Sequence, residues 1–321
     1  MTNVDGTLTV LIRARTDIAT DIVGLTLEPL DGGPLPEFVA GAHIDVHLAP
    51  GLTRQYSLAN NPCETHRYKI GVLRDPKSRG GSIAVHQQLK VGELLRIGKP
   101  RCNFPLNPAA TSSVLIAGGI GITPILSMAY RLHATGQDFS VHYTCRSRDR
   151  AAFVDELTNG EFASRANLYF DDAAADDRFN LERTLLAAGR DADIYVCGPG
   201  GFINFVVDGA RALDWKESKI HVEHFGADVS TAGASFVVEA RKSGVEVRVL
   251  ENQTISQALA AAGVCVPVSC EQGVCGTCLT RVLDGKPDHR DFYQTDDEKA
   301  AGDFMTPCCS RSLGERIVLD L

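Results

Sequence analysis

The chain has 321 residues, 44% hydrophobic and 22% charged, with a formal net charge of −8. That length allows two or three domains with separate cores, and the composition is that of a globular protein. The acidic balance argues against a nucleic-acid binder, no apolar run approaches the roughly 18 residues of a membrane span, and no N-terminal stretch reads as a signal peptide. The expectation is a monomeric cytoplasmic protein, off the membrane, with small-molecule and protein partners.

The first hundred residues carry short β-type runs: LTVLIRA, IVGLTLEP, AHIDVHLA, RQYSLAN, HRYKIGVLR and ELLRIGKP. Each is bounded by Gly, Pro, Asn or Asp, as in an antiparallel barrel or sandwich. One helical stretch, Ser82 to Leu89, interrupts them. Near Ser113 the texture changes. From there to about Phe225, compact strands (VLIA, FSVHYT, NLYF, DIYVCG, KIHVEHF) alternate with helical patterns, which predicts βαβ units on a parallel sheet. The clearest helix starts at Pro124 with Thr123 as its N-cap, and Ile125, Met128, Ala129 and Leu132 recur at helical spacing. GADVSTAGAS, small and polar, reads as a linker before a last segment with strands FVVEA, VEVRVL and RIVLDL and a short helix near Ile255 to Ala262. The boundaries are thus 1–107 for a β domain, 108–226 for an α/β domain, 227–235 for the linker and 236–321 for a small α+β domain.

Of ten cysteines, Cys63, Cys102, Cys145 and Cys197 are scattered singly, and the other six fall between Cys265 and Cys309. In a reducing compartment a local cluster points to metal rather than disulfides. Residues 270–278 read Cys-Glu-Gln-Gly-Val-Cys-Gly-Thr-Cys, with Cys308 and Cys309 further on. C-x4-C-x2-C followed by a distant cysteine is the spacing of plant-type [2Fe–2S] ferredoxins. Two iron ions bridged by sulfide need four thiolates, and a short loop supplies three of them. Gly273 and Gly276 let that loop take conformations a Cβ forbids. The competing reading, structural zinc, usually has two C-x2-C hooks, and here there is one. Spacing alone leaves Cys308 and Cys309 open as the fourth ligand; in extended chain only one of the two points inward.

With these residues on the page, the C-terminal segment resembles a plant-type ferredoxin, of β-grasp fold. The whole chain resembles the phthalate dioxygenase reductase family, in particular the reductase components of vanillate O-demethylase-type aromatic oxygenases. The resemblance implies a flavin β-barrel, a nicotinamide α/β domain and a ferredoxin domain in that order. It places the fourth ligand on Cys308, beside Cys270, Cys275 and Cys278, through the family's Cys-x-Ser-Arg pattern, and leaves Cys309 without a cluster role.

Arg54-Gln55-Tyr56-Ser57 matches the family's Arg-x-Tyr-Ser motif, which sets an aromatic against a flavin ring and a hydroxyl near its reactive edge. Arg54 has the planar fork that suits phosphate. Gly80-Gly81-Ser82 opens a helix and offers bare N–H groups to the same phosphate. The resemblance adds Val72 and Arg74 under the flavin. It also selects FMN, because no insertion here supplies an adenine-holding element. VLIAGGIGITP sets Gly118, Gly119 and Gly121 between a strand and a helix, the logic of a dinucleotide fold, with Thr123 in the same turn. The match to G-x-G-x-x-G is incomplete, since Pro124 takes the third glycine's place. The next strand ends in Thr144, Cys145, Arg146 and Ser147, with no acidic residue. Arg146 and Ser147 face either an adenosine ribose or a 2′-phosphate, and the family preference is NADH. Cys197-Gly198-Pro199 matches the family's nicotinamide loop, which sets Cys197 beside the nicotinamide C4, and Phe225 resembles its aromatic near the flavin face.

The implied activity is an NADH-dependent oxidoreductase of aromatic catabolism that passes electrons through FMN to [2Fe–2S]. They then go singly to a Rieske-type oxygenase docked transiently on the cluster domain. Within enzymes, the alternative is a reductase for another acceptor. From another class, it is a non-enzymatic iron–sulfur carrier or sensor, which predicts no flavin and no NADH oxidation. The nine histidines receive no ligand role, and no proton-transferring triad is evident.

Overall fold

A computed structural model describes residues 6–49, 52–76, 78, 80–226 and 230–321; linker residues 227–229 and the first five residues of the predicted β domain lie outside these. The chain forms two compact units, Met1–Glu223 and His224–Leu321.

The first unit opens with β1 (Leu8–Ala19), β2 (Ile22–Pro29), β3 (Ala42–Ala49), β4 (Leu52–Ser57), β5 (Tyr68–Leu73), α1 (Gly81–Gln88), β6 (Leu94–Ile97) and β7 (Arg101–Cys102). The strands run antiparallel in the order β4-β3-β6-β1-β2-β5, with β7 beside β3. The bridge Leu58↔Ile70 and the Ala59 N–H to Lys69 O bond (2.8 Å) join the two ends of that sheet into a barrel. Alternation does the rest: Val10, Ile12, Val23, Leu25, Leu27, Ile44, Val46, Ile70 and Val72 share one core inside it. Each predicted strand of this region is present.

Next come β8 (Ser112–Gly118), α2 (Ile122–Ala134), β9 (Asp138–Cys145), α3 (Val154–Asn159), β10 (Ala166–Phe170), α4 (Leu181–Ala188), β11 (Asp193–Cys197), α5 (Gly200–Ala212) and β12 (Ile220–Glu223). The five strands are parallel in the order β10-β9-β8-β11-β12, so the order reverses between β8 and β11. α2 is buried along most of its length because it lies between two apolar surfaces. Ile125, Met128 and Leu132 share a core with Leu115, Val141 and Tyr143 of the sheet and with Ile22, Ala59 and Phe104 of the barrel side. α4 and α5 cover the other face through Leu185, Ile203 and Val206. One expectation is corrected. α2 begins at Ile122, so Thr123 is inside the first turn and caps nothing. The 3₁₀ turn Gly119–Gly121 already carries the chain into helix, and the Thr123 hydroxyl donates back to Ile120 O (3.1 Å).

The second unit holds β13 (Phe236–Ala240), β14 (Val245–Val249), α6 (Ile255–Ala261), β15 (Thr280–Asp284), β16 (Pro287–Asp288), α7 (Asp296–Ala301), β17 (Phe304–Met305), β18 (Arg311–Ser312) and β19 (Arg316–Leu319). The main sheet, β14-β13-β19-β15-β17, is parallel only between β13 and β19, and α6 packs Ile255, Ala258 and Leu259 on it. Thr254 and Gln257 cap α6 reciprocally. Arg311 is 2% exposed and has no carboxylate partner in its hydrogen bonds. Its guanidinium donates to the carbonyls of Gln253, Gly233, Ala234 and Leu250 and lies over the Phe236 ring.

In the first unit the barrel's exit is pinned by a buried carboxylate. Asp193 has no exposed side-chain surface and accepts from Asn107 Nδ2 (2.8 Å), Lys219 Nζ (3.0 Å) and His221 Nε2 (2.9 Å). Burial raises its proton affinity, but those hydrogen bonds outweigh burial and hold the carboxyl below its usual range. Its stabilisation is therefore present above the ordinary carboxyl pKa and is lost as pH falls through the depressed one. Asp193→Ala, which strands Lys219 and Asn107, is expected to destabilise the chain by about 3 kcal/mol at neutral pH, with a smaller penalty in acid. Urea unfolding at two pH values checks both parts.

Candidate functional site

Ser57 closes β4 and pairs in register with His43 of β3; Arg54 pairs with Val46 and Tyr56 with Ile44. The Arg54 side chain crosses α1 at its first residue. A Cβ on Gly81 would sit 2.5 Å from Arg54 Cγ and 2.8 Å from Nε, so only glycine admits that approach. α1 opens at Gly80 in the left-handed region (φ 91°) with no acidic residue in its first turn. A helix start with no side-chain cap and a guanidinium thus meet at one point, which is what a phosphomonoester needs. The Ser82 hydroxyl accepts the Asp75 N–H (3.1 Å), and Val72 O is within 2.9 Å of His86 Nε2, so β5 is tied to α1. Arg74 follows β5, its N–H donating to Asp21 O. Burial pushes the Tyr56 phenol up, against the nearby Arg54, and keeps it neutral. Arg54, Tyr56, Gly80, Gly81 and Ser82 fit FMN.

The two glycine loops of the α/β part meet at the point where the strand order reverses. β8 and β11 are in register, Cys197 opposite Ala117, and both loops leave the same sheet edge. A Cβ on Gly121 would fall 2.3 Å from Cys197 O and 2.7 Å from Gly198 N. Gly118 packs against Pro199 and Phe202 in the same way. Gly119 takes positive φ between them. This crevice beyond the carboxyl ends of parallel strands is where open α/β sheets bind nucleotides. Arg146 is exposed at the end of β9, and Ser147 is engaged by Asp149 (2.5 Å). Cys197 is fully buried, and burial above all pushes its thiol well up, so it is a neutral packing group.

Glu223, at the end of β12, escaped the sequence reading because it sits in an ordinary strand run. It pairs with Cys197 in register and hydrogen-bonds Ser57. Its Oε2 is sealed from solvent without a partner among the described residues. Burial raises its pKa to about 8, only partly opposed by the Ser57 hydrogen bond. A carboxylic acid that holds its proton near neutral pH thus stands between the residue expected at the flavin edge and the one expected at the nicotinamide. Phe225 lies in a bend past β12, 38% exposed and in the second unit.

In the second unit four thiols converge. Cys270 comes within hydrogen-bonding reach of Cys275 and Cys308, and Cys308 reaches Cys278 and Cys309. A two-iron cluster asks for four thiolates, and the C-x4-C-x2-C loop with Cys308 supplies that number, so this donor set fits [2Fe–2S]. Residues 306–309 form a turn closed by Cys309 N–H to Thr306 O (3.1 Å), so strand alternation does not apply and both thiols are buried. Cys309 Sγ faces the loop, 2.6 Å from where a Cβ on Gly273 would be, and lies 3.1 Å from Thr306 Oγ1. The Tyr293 ring covers Gly276, which takes φ +68°.

Residues 238–313 match the family model described as a 2Fe-2S iron-sulfur cluster binding domain, and 115–208 match that of an oxidoreductase NAD-binding domain. A vanillate O-demethylase oxidoreductase of Pseudomonas sp. (strain HR199 / DSM 7063) is 51% identical over 97% of this chain and 99% of its own length. A tetrachlorobenzoquinone reductase of Sphingobium chlorophenolicum is 43% identical over the full length of both. A solved phthalate dioxygenase reductase, described as a modular structure for electron transfer from pyridine nucleotides to [2Fe–2S], superposes with TM-score 0.79 at 38% identity, covering 99% of this chain and 98% of its own. The chain belongs to the phthalate dioxygenase reductase family. It is an NADH-dependent oxidoreductase of that family, with FMN and a [2Fe–2S] cluster as its cofactors.

Two outcomes are expected. Gly276→Ala drives a Cβ to 2.3 Å from the Tyr293 ring at positive φ, so iron content per chain should fall severalfold while flavin content stays unchanged. Glu223 ionises only above a pKa of about 8, so the folded chain loses stability as pH rises from the ordinary carboxyl range through 8. Glu223→Gln should remove that slope in thermal unfolding and abolish the protonated-carboxyl infrared band that titrates near pH 8.

Proposed function

We propose that this reductase is the electron-supplying component of a two-component aromatic ring-hydroxylating or O-demethylating oxygenase. Its domains on this reading are 1–107 for FMN, 108–226 for NADH and 236–321 for the cluster. The terminal partner is a Rieske-type oxygenase that docks transiently, as small electron-transfer interfaces do. The reductase itself is monomeric and cytoplasmic; no helix among the described residues is long and apolar enough to cross a membrane. The observation that carries the reading is the meeting of the Gly119–Gly121 turn with Cys197 and Gly198 beside Glu223 and Ser57.

Arg54, Gly80, Gly81 and Ser82 hold the FMN phosphate, Tyr56 lies against its ring, and the strand carrying Val72 and Arg74 passes under it. Gly119, Gly121, Thr123, Gly198 and Pro199 cradle the dinucleotide, with Arg146 and Ser147 at its adenosine end. Cys197 stands beside the nicotinamide C4, Phe225 corresponds to the family's aromatic near the flavin face, and Cys270, Cys275, Cys278 and Cys308 bind the cluster. FMN, when bound, converts a two-electron hydride into single electrons, and the cluster carries one at a time. The residues orient the reactants and exclude water. The Cys197 thiol stays neutral, and Ser57 with Glu223 offers a hydroxyl and a carboxyl able to give or take a proton near neutral pH.

Titrating the full-length protein anaerobically with NADH should bleach flavin and iron–sulfur absorption together, with about one FMN released per chain and a much weaker response to NADPH. Iron–sulfur absorption without flavin or bleaching would leave only a carrier or sensor. Reconstitution with a Rieske oxygenase, against quinone as the competing acceptor, then separates the acceptors.

A further inference from the structure

One buried titratable group has no part in the chemistry above. His289, on the segment joining β16 to α7, is only 10% exposed in its side chain, and both ring nitrogens are sealed without a partner among the described residues. Its Nδ1 lies 3.7 Å from Asp291 Oδ1, too far for a hydrogen bond but close for an ion pair. Asp291 is itself buried; its Oδ2 accepts the Gln294 N–H (2.8 Å) and its Oδ1 the Ser310 hydroxyl (3.4 Å).

This segment backs directly onto the cluster loop. A Cβ on Gly273 would meet Asp291 Cα and Cβ at 2.9 and 3.0 Å, and the Phe292 N–H donates to Gly273 O (2.9 Å). The Arg290 N–H donates to Ser310 Oγ (3.2 Å), two residues beyond Cys308. The other charges near it are already engaged. Arg290 pairs with Asp288 (2.6 Å), Arg311 is held by carbonyls, and Lys299 Nζ donates to Asp291 O (2.8 Å). Cys309 Sγ lies 3.1 Å from Thr306 Oγ1, and its contact with Cys308 lowers its pKa. Besides His224, which packs on the Phe292 ring, His289 has both ring nitrogens unused among the described residues, and it is set against a buried carboxylate behind the loop that carries three of the cluster's ligands.

We propose that His289, held against Asp291, takes one proton from solvent when the [2Fe–2S] cluster accepts an electron and returns it when that electron leaves. The inference rests on the assignment of Cys270, Cys275, Cys278 and Cys308 as ligands. The step balances: one electron arrives from the flavin and one proton binds the imidazole, and both depart when the acceptor is reduced. An added electron is an extra negative charge in a poorly screened interior, and a cation beside it offsets that charge. Linkage makes the effect reciprocal, so a proton on His289 raises the cluster's electron affinity by the factor by which the electron raises proton affinity.

The test is the cluster's midpoint potential in the full-length holoprotein, read from the EPR signal of the reduced cluster between about pH 6 and pH 9. A window is expected in which the equilibrium shifts tenfold per pH unit, about 59 mV for a one-electron couple. In His289→Gln the potential should be flat, and in Asp291→Asn the window should move to lower pH. A wild-type potential that ignores pH overturns the proposal without any variant, and so does a slope that persists in His289→Gln. The absence of any [2Fe–2S] signal in the wild type overturns instead the ligand assignment beneath it.

Discussion

The first unit depends on one steric constraint, the approach of the Gly121 backbone to the carbonyl of Cys197. Parallel pairing of β8 with β11 brings both loops off the same edge, and nothing larger than hydrogen fits between them. Because the fit is backbone on backbone, it fixes the crevice without a charged residue. The same register sets Glu223 opposite Cys197, and from there its carboxyl reaches Ser57. The barrel and the α/β part therefore meet at a polar point surrounded by apolar packing, and Asp193 holds Asn107 at the joint.

Local chemistry made much of this legible in the sequence. Alternating strands of the barrel, compact apolar strands of the parallel sheet and the cysteine spacing all report on neighbours within a few residues. What stayed hidden was set by distant partners. Glu223 is unremarkable in KIHVEHF, and only pairing with β11 and burial against Ser57 turn it into a neutral acid. The two-residue strands β7, β16, β17 and β18 have no periodicity to read. The Thr123 cap failed because a preceding 3₁₀ turn had already started the helix. The choice between Cys308 and Cys309 could not rest on alternation, because those residues lie in a turn.

The crevice around Cys197 and Glu223 and the interior of the second unit treat buried charge differently. Around Cys197 and Glu223, burial drives both groups toward their neutral forms. The second unit instead buries Arg311 and Asp291 and satisfies each through hydrogen bonds to backbone and hydroxyl groups. Burying ions is costly unless every lone pair and proton is used, which is why Arg311 meets four carbonyls.

A cluster that gains and loses single electrons changes its charge on every turnover, so fixed ions alone suit only one of its two states. Arg311 and Asp291 have no freedom to follow that change, since their partners are backbone atoms and a hydroxyl. The His289 imidazole is sealed beside Asp291 with both nitrogens unused among the described residues. If the only demand were stability, an apolar residue of similar volume would fill that space at lower cost. A histidine in that space answers to a charge that must vary rather than to packing.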